Sequence, residues 1–246
     1  MLGKLIKYDF KAMCHSMLPI FLATIALTAL FSLMVKLNIE EGPVFTIFTF
    51  LFMTALFGSM FATVFFAVSR FTKGLLKNEG YLSFSLPVDT ATHIAAKVIN
   101  ALIWGMMEGF LLIICFIIMG LFMGSVEDVR EFFSEMFRAF GLIEKDVLCA
   151  ALKVQLYVVL EMISSTCLIY AAFAIAHMFD KYKKLIIVAF FVVVSTLRSS
   201  LLNLVMSGIR FEKPFNNIFW YLIPVFFAAL YSVITWYILD RKLNLE

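Results

Sequence analysis

Charge is what this chain has least of. Only 15% of its 246 residues are Asp, Glu, Lys or Arg, against about 25% in a soluble domain. Charge at that level, with 63% hydrophobic residues and 29 phenylalanines, excludes an ordinary soluble globule and points to a multi-spanning membrane protein. The net charge of +3 is too mild to imply a nucleic-acid partner. The four cysteines, Cys14, Cys115, Cys149 and Cys167, show no CxxC pairing or metal spacing and read as small apolar residues. The three histidines, His15, His93 and His177, form no HExxH pair, and no GxSxG elbow occurs, so hydrolase chemistry has no constellation to rest on. There is no GxxxxGK[ST] phosphate loop either. The chain therefore binds no nucleotide by that route, and any ATP-driven work must use another polypeptide.

Long apolar runs are present instead. Six of them, at 17–37, 44–69, 98–123, 151–178, 184–206 and 218–239, approach or exceed the ~20 residues that cross a ~30 Å hydrocarbon layer. The first is longer than a signal-peptide core and is expected to stay as an anchor. The expected fold class is all-α: six transmembrane helices in a single domain over 1–246. A short basic amphipathic N-terminal helix over 1–16 precedes them, with Leu2, Leu5, Ile6, Phe10 and Met13 on one face and Lys4, Lys7 and Lys11 between. Such a helix suits an anionic lipid surface. A second amphipathic helix is expected within 124–150. It starts at a capping-box-like Ser125–Asp128 and continues with Val126, Val129, Phe132, Phe133, Met136, Phe137 and Phe140 on one face. Pro19 falls in the first turn of span one, and Pro224 lies inside span six, where it is expected to kink the helix.

Basic residues orient the chain. With the N-terminus inside, twelve Lys and Arg fall on the inner side and seven on the outer side, so both termini are expected to be cytoplasmic. Three ionisable residues lie well inside spans: Glu108, Glu161 and Arg198. Such groups are costly in hydrocarbon and call for a partner or a water-filled path. At 1.5 Å per residue, Glu161 lies about 26 Å and Arg198 about 21 Å from the inner ends of spans four and five. The tight connection His177–Lys184 makes these spans an antiparallel hairpin, so the two charges are expected to meet. Glu108, near mid-membrane, has no partner evident in the sequence. Gly105 and Gly109 beside it would let another helix or a twin subunit approach.

The remaining polar interruption is a cytoplasmic loop, 70–97, reading RFTKGLLKNEGYLSFSLPVDTATHIAAK. Its centre, Tyr81–Leu86, is apolar and too short to cross a membrane, and such an apolar plug needs a cover. Asn78-Glu79-Gly80 reads as a helix stop, Pro87 as a second breaker, and Asp89 or Thr90 as the cap of the helix entering span three.

These residues carry a resemblance. The N-terminal KYDFKA, six spans, and the motif R-F-x-K-x-L-L-x-N-E-G-Y-L-x-F-x-L-P-V over Arg70–Val88 resemble bacterial ABC-2 type transporter permeases, the membrane subunits of export-class ABC systems. The resemblance implies a coupling helix in this loop that docks on an ABC ATP-binding subunit. It places that role on Glu79, Gly80, Tyr81, Leu82, Ser83, Phe84, Leu86 and Pro87. It also implies two ATPase copies holding ATP and Mg, a second permease chain (identical or homologous), no cofactor in this chain itself, and a place in the bacterial cytoplasmic membrane. The chain departs from many relatives in its short last outer loop, Ser207–Asn217. That departure points away from a polysaccharide channel, toward a peptide-like, lipid-like or antimicrobial substrate. The rival expectation is a multi-pass transporter or channel that works without an ATPase.

Overall fold

The computed structural model describes residues 2–39, 41–76, 80, 85, 87–124, 130, 131, 134, 135, 138, 145–179, 181–208 and 218–241. Among these residues the chain is helical and contains no strand. Six helices are long and apolar enough to cross a membrane. They are α1 (Leu2–Lys36), α2 (Pro43–Phe71), α3 (Thr90–Met123), α4 (Lys145–His177), α5 (Lys183–Gly208) and α6 (Phe219–Arg241).

Helix ends follow local chemistry. Past α1, Asn38 takes a left-handed conformation (φ 54°), which Asn tolerates better than most residues. There its N–H donates to the Val35 carbonyl, and that of Ile39 to Met34. At the start of α3 the Asp89 carbonyl accepts from the N–H groups of Thr92 and His93, which makes Asp89 the cap residue. Between α4 and α5 only five residues intervene, and Tyr182 (φ 63°) accepts the first backbone bond of α5.

Three expected boundaries move. The segment 1–16 is not a helix of its own: α1 runs unbroken from Leu2, and Pro19 lies well inside it rather than in its first turn. No breaker separates Met13 from Pro19, and a proline removes just one ladder bond. The polar loop is shorter than 70–97. Beyond Phe71 the chain makes a wide π-type turn over Thr72–Leu76, and α3 begins at Thr90, so the connection spans 77–89. The reason is packing: Phe71, Leu75 and Leu76 are buried, which outweighs the half-buried charge of Arg70 and the exposed one of Lys73. Finally, α4 starts at Lys145 instead of 151. For the expected outer helix, the apolar positions from Val126 to Phe140 lie outside the described residues. Arg130, Glu131, Ser134, Glu135 and Arg138 are helical and exposed.

The chain divides into two compact units, with the divisions falling inside α1, α2 and α3. The first comprises Met1–Ile6, Val68–Leu102 and Lys145–Glu246. Its core joins Phe71, Leu75, Ile94, Tyr170, Ala171 and Tyr231. Phe71 and Tyr170 stack with centroids 4.1 Å apart and planes 5° apart. Small residues make room for this: Ala171, Ala172, Ala174 and Ala176 are all buried on α4.

The second unit comprises Lys7–Ala67 and Ile103–Glu144. Here Met13, Met17 and Trp104 form a core ringed by Phe10, Phe21 and Phe66, and Phe31 stacks on Phe52 with centroids 4.6 Å apart. A stripe of hydroxyls on α1, Thr24, Thr28 and Ser32, is fully buried. Each donates to the carbonyl one turn back, at 2.9, 2.8 and 2.7 Å. The stripe is narrow enough to bury, and it brings no unmet polar group into an apolar layer.

Candidate functional site

Among the described residues, each unit holds a polar constellation built on an ionisable side chain inside the helices. In the first unit the Arg198 guanidinium on α5 donates through Nη2 to a carboxylate oxygen of Glu161 on α4. Both residues sit about 22–24 Å along their helices from the short α4–α5 connection, which is why the hairpin brings them together. Arg198 is buried, whereas the Glu161 side chain keeps 34% of its surface. The guanidinium also stands over the Phe227 ring, 5.5 Å from its centroid, and Phe227 stacks on Tyr231. Thus α4, α5 and α6 meet through one chain of contacts: carboxylate, guanidinium, ring, ring. Nothing in the sequence pattern pointed to Phe227 or Tyr231, because aromatic residues are everywhere in this chain.

In the second unit Glu108 on α3 is buried, and its partners are hydroxyls of α2. Ser59 Oγ lies 2.7 Å from Oε1 and Thr63 Oγ1 lies 2.8 Å from Oε2. Two hydroxyls at i and i+4 sit on one face of a helix. That spacing was the signal available in the sequence, shared with Thr46, Thr49 and Thr54 on the same span. Glu108 therefore faces α2. Gly109 beside it opens on empty space, since a β-carbon there would meet nothing within 4 Å. Gly109→Ala should therefore raise stability by roughly 0.5–1 kcal/mol, the usual gain at a helix interior. Thermal unfolding in detergent reads this directly. A drop in melting temperature together with dissociation of an oligomer would instead put a close helix contact at Gly109.

In the first unit the end of α2, the start of α3 and the end of α6 frame the 77–89 connection. On one side Gly74, Leu75 and Leu76 are buried. Here a β-carbon on Gly74 would come within 3.0 Å of Lys97 Nζ, so the π-type turn passes close to α3. On the other side Thr90 Oγ1 bonds Asp240 Oδ1 at 3.4 Å, tying the first turn of α3 to the end of α6, and Tyr170 Oη reaches the Lys97 carbonyl at 3.4 Å. Of the residues assigned to coupling, Gly80 is buried and Pro87 exposed. Glu79, Tyr81, Leu82, Ser83, Phe84 and Leu86 lie outside the described residues.

Beside this framework runs a groove of about 600 Å³. Ile94 and Val98 of α3, Ile163 and Cys167 of α4, and Val233 and Trp236 of α6 line it, with Asp89 at its edge. Ser232 donates to Cys167 Sγ at 3.3 Å, so the groove's few polar atoms are partly occupied with one another. Its lining suits an acyl chain or another apolar group. Among the described residues no three His, Cys, Asp or Glu side chains converge as a metal site would require.

No family model matches this chain, and neither does any curated protein or solved structure.

Proposed function

We propose that this chain is the membrane-spanning permease subunit of an ATP-driven exporter of the ABC class, working with a separate ATPase in two copies and a second permease chain. The observation that carries the reading is the mounting of the 77–89 connection. It is short, it bears the motif that resembles ABC-2 permeases, and both of its ends are fixed in the core of one unit. Leu75 and Leu76 anchor the end of α2 against Tyr170 and its neighbours. Thr90 anchors α3 to α6 through Asp240. A force applied to the connection would reach packed helices rather than be lost in a slack loop, which is what coupling to an ATPase requires. Both termini would then be cytoplasmic, in a bacterial cytoplasmic membrane, as the distribution of basic residues expects. The apolar groove beside α3, α4 and α6 suits cargo with an apolar body, in keeping with a lipid-like, peptide-like or antimicrobial substrate.

The rival, a transporter or channel that needs no ATPase, makes the opposite prediction at the connection. Tyr81→Asp together with Phe84→Asp puts two charges on the apolar centre of the connection. Co-purification of the ATPase encoded beside this chain should fall at least tenfold, while yield and helicity of the permease hold. Full recovery of the ATPase with the double variant would remove the docking role from these residues.

A further inference from the structure

The groove beside α3, α4 and α6 lies wholly within the first unit. Its lining follows α3 from Asp89 to Leu102, about 20 Å at the helical rise. That is enough to take a chain through one leaflet, about 15 Å of a ~30 Å hydrocarbon layer. Ile94, Val98 and Cys167 in the lining are buried, whereas Val233 and Trp236 are exposed. The groove is therefore a slot with an apolar floor and an open side. Ser232 Oγ and Cys167 Sγ are bonded to each other, so the floor asks for no polar group from an occupant.

At one end this apolar lining meets a charge. Asp89 stands just before the first residue of α3, exposed, at the edge of the groove. Among the described residues no cation pairs with it, and the charged groups nearby are engaged elsewhere. Asp240 bonds Thr90 Oγ1 at 3.4 Å and stands 3.9 Å from Arg241 Nε. Lys97, which does not line the groove, has its Nζ beside Gly74. His93 is buried. A slot one leaflet deep thus carries one unanswered negative charge where its span begins.

That combination selects among amphiphiles. An ordinary phospholipid brings a phosphate to the level of Asp89, and a fatty acid brings a second carboxylate, so both meet repulsion. A single chain with a cationic head meets attraction instead. Trp236 adds to it: the residue lies one turn before Asp240 on α6, about 6 Å in from the tie to Thr90. Indole is the side chain that attracts ammonium groups best.

We propose that this groove is a binding site for single-chain cationic amphiphiles, with the chain along α3 and the ammonium at Asp89. That such a molecule is also cargo rests on the permease reading above; its binding does not.

Quenching of Trp236 fluorescence tests the site on the full chain in phosphatidylcholine nanodiscs, with no ATPase present. The probes are octadecyltrimethylammonium and octadecyl sulfate, each dibrominated at mid-chain, so that only the sign of a fixed charge differs. Wild type minus Trp236→Phe isolates the signal. Quenching by the ammonium probe should saturate, at a mole fraction roughly fivefold below that of the sulfate, the scale of one exposed ion pair. Asp89→Asn keeps a good cap residue and should bring the two curves together. Unsaturable quenching by both probes would mean that bulk lipid fills the groove and would overturn the proposal. So would the absence of a preference for the cation, or a preference that survives Asp89→Asn. Should Trp236→Phe not fold, Ala95→Phe reads the same site by filling the groove, and a saturable phase untouched by it would place the probe elsewhere and sink the idea. Because the ATPase is absent throughout, failure here leaves the permease reading standing, and loss of ATPase docking would leave this site standing.

Discussion

Replacing Arg198 with Met should destabilise the helix bundle by about 3 kcal/mol, because it strands Glu161 without its partner. The figure sits at the low end of the range for breaking a buried pair, since the Glu161 side chain keeps 34% of its surface. The loss includes the cation–π contact over Phe227, which Met replaces in part by packing. The informative variant is the double change Arg198→Met with Glu161→Leu. It removes both charges and should recover most of the loss, as buried pairs replaced together by apolar residues often do. Exchanging the two, Glu161→Arg with Arg198→Glu, should recover less, because the Phe227 ring is placed for a guanidinium on α5. Thermal unfolding of the purified chain in detergent, followed by size-exclusion fluorescence, measures all four. If the exchanged and doubly apolar proteins melt no higher than the single Met variant, the pair does not hold α4 to α5.

Tyr170→Ala should cost still more, about 3–5 kcal/mol, the usual price of truncating a large buried aromatic. Tyr170 is 2% exposed and sits at the middle of the larger core, stacked on Phe71. Tyr170→Phe separates the two roles of the side chain. It keeps the stack and loses only a long hydroxyl contact of 3.4 Å to the Lys97 carbonyl, so it should cost under about 1 kcal/mol. Because Phe71 is the last residue of α2, the stack also fixes where α2 hands over to the π-type turn. Phe71→Ala combined with Tyr170→Ala should therefore cost less than the two separate losses added together, by roughly 0.5–1.5 kcal/mol, the worth of the stacked pair itself. Strict additivity in the melting series would mean that the rings contribute only through the area they bury. The contrast between the Ala and Phe variants also tells packing apart from hydrogen bonding where Phe71 of α2, Lys97 of α3 and Tyr170 of α4 come together.

Much of the architecture was legible before any coordinates. Six apolar runs give six helices because a span must satisfy its own backbone in hydrocarbon, and length with hydropathy is enough to detect that. The meeting of Glu161 and Arg198 could be read as well. A five-residue connection forces α4 and α5 antiparallel, and equal distance from that connection puts two residues at the same height. The starts and stops were harder. Lys4, Lys7 and Lys11 look like a separate surface helix, yet the chain continues through Pro19 into the span. Arg70 and Lys73 look like loop, yet Phe71 between them and Leu75 and Leu76 just beyond are core. Charge pattern reports what faces water, whereas burial of the alternate face decides how far a helix runs.

What the sequence determined by itself is the membrane class, the count and order of the spans, and the pairing of two charges across a hairpin. These depend on composition, length and spacing along one chain. The partners of Glu108 depended on the tertiary structure, because 45 and 49 residues separate it from Thr63 and Ser59 and no local rule fixes how α2 is rotated against α3. The same holds for the Phe71–Tyr170 stack, chosen from a chain with 29 phenylalanines and eight tyrosines. Hydrophobicity sends such residues inward without preference, and only close packing of particular faces selects which two rings meet.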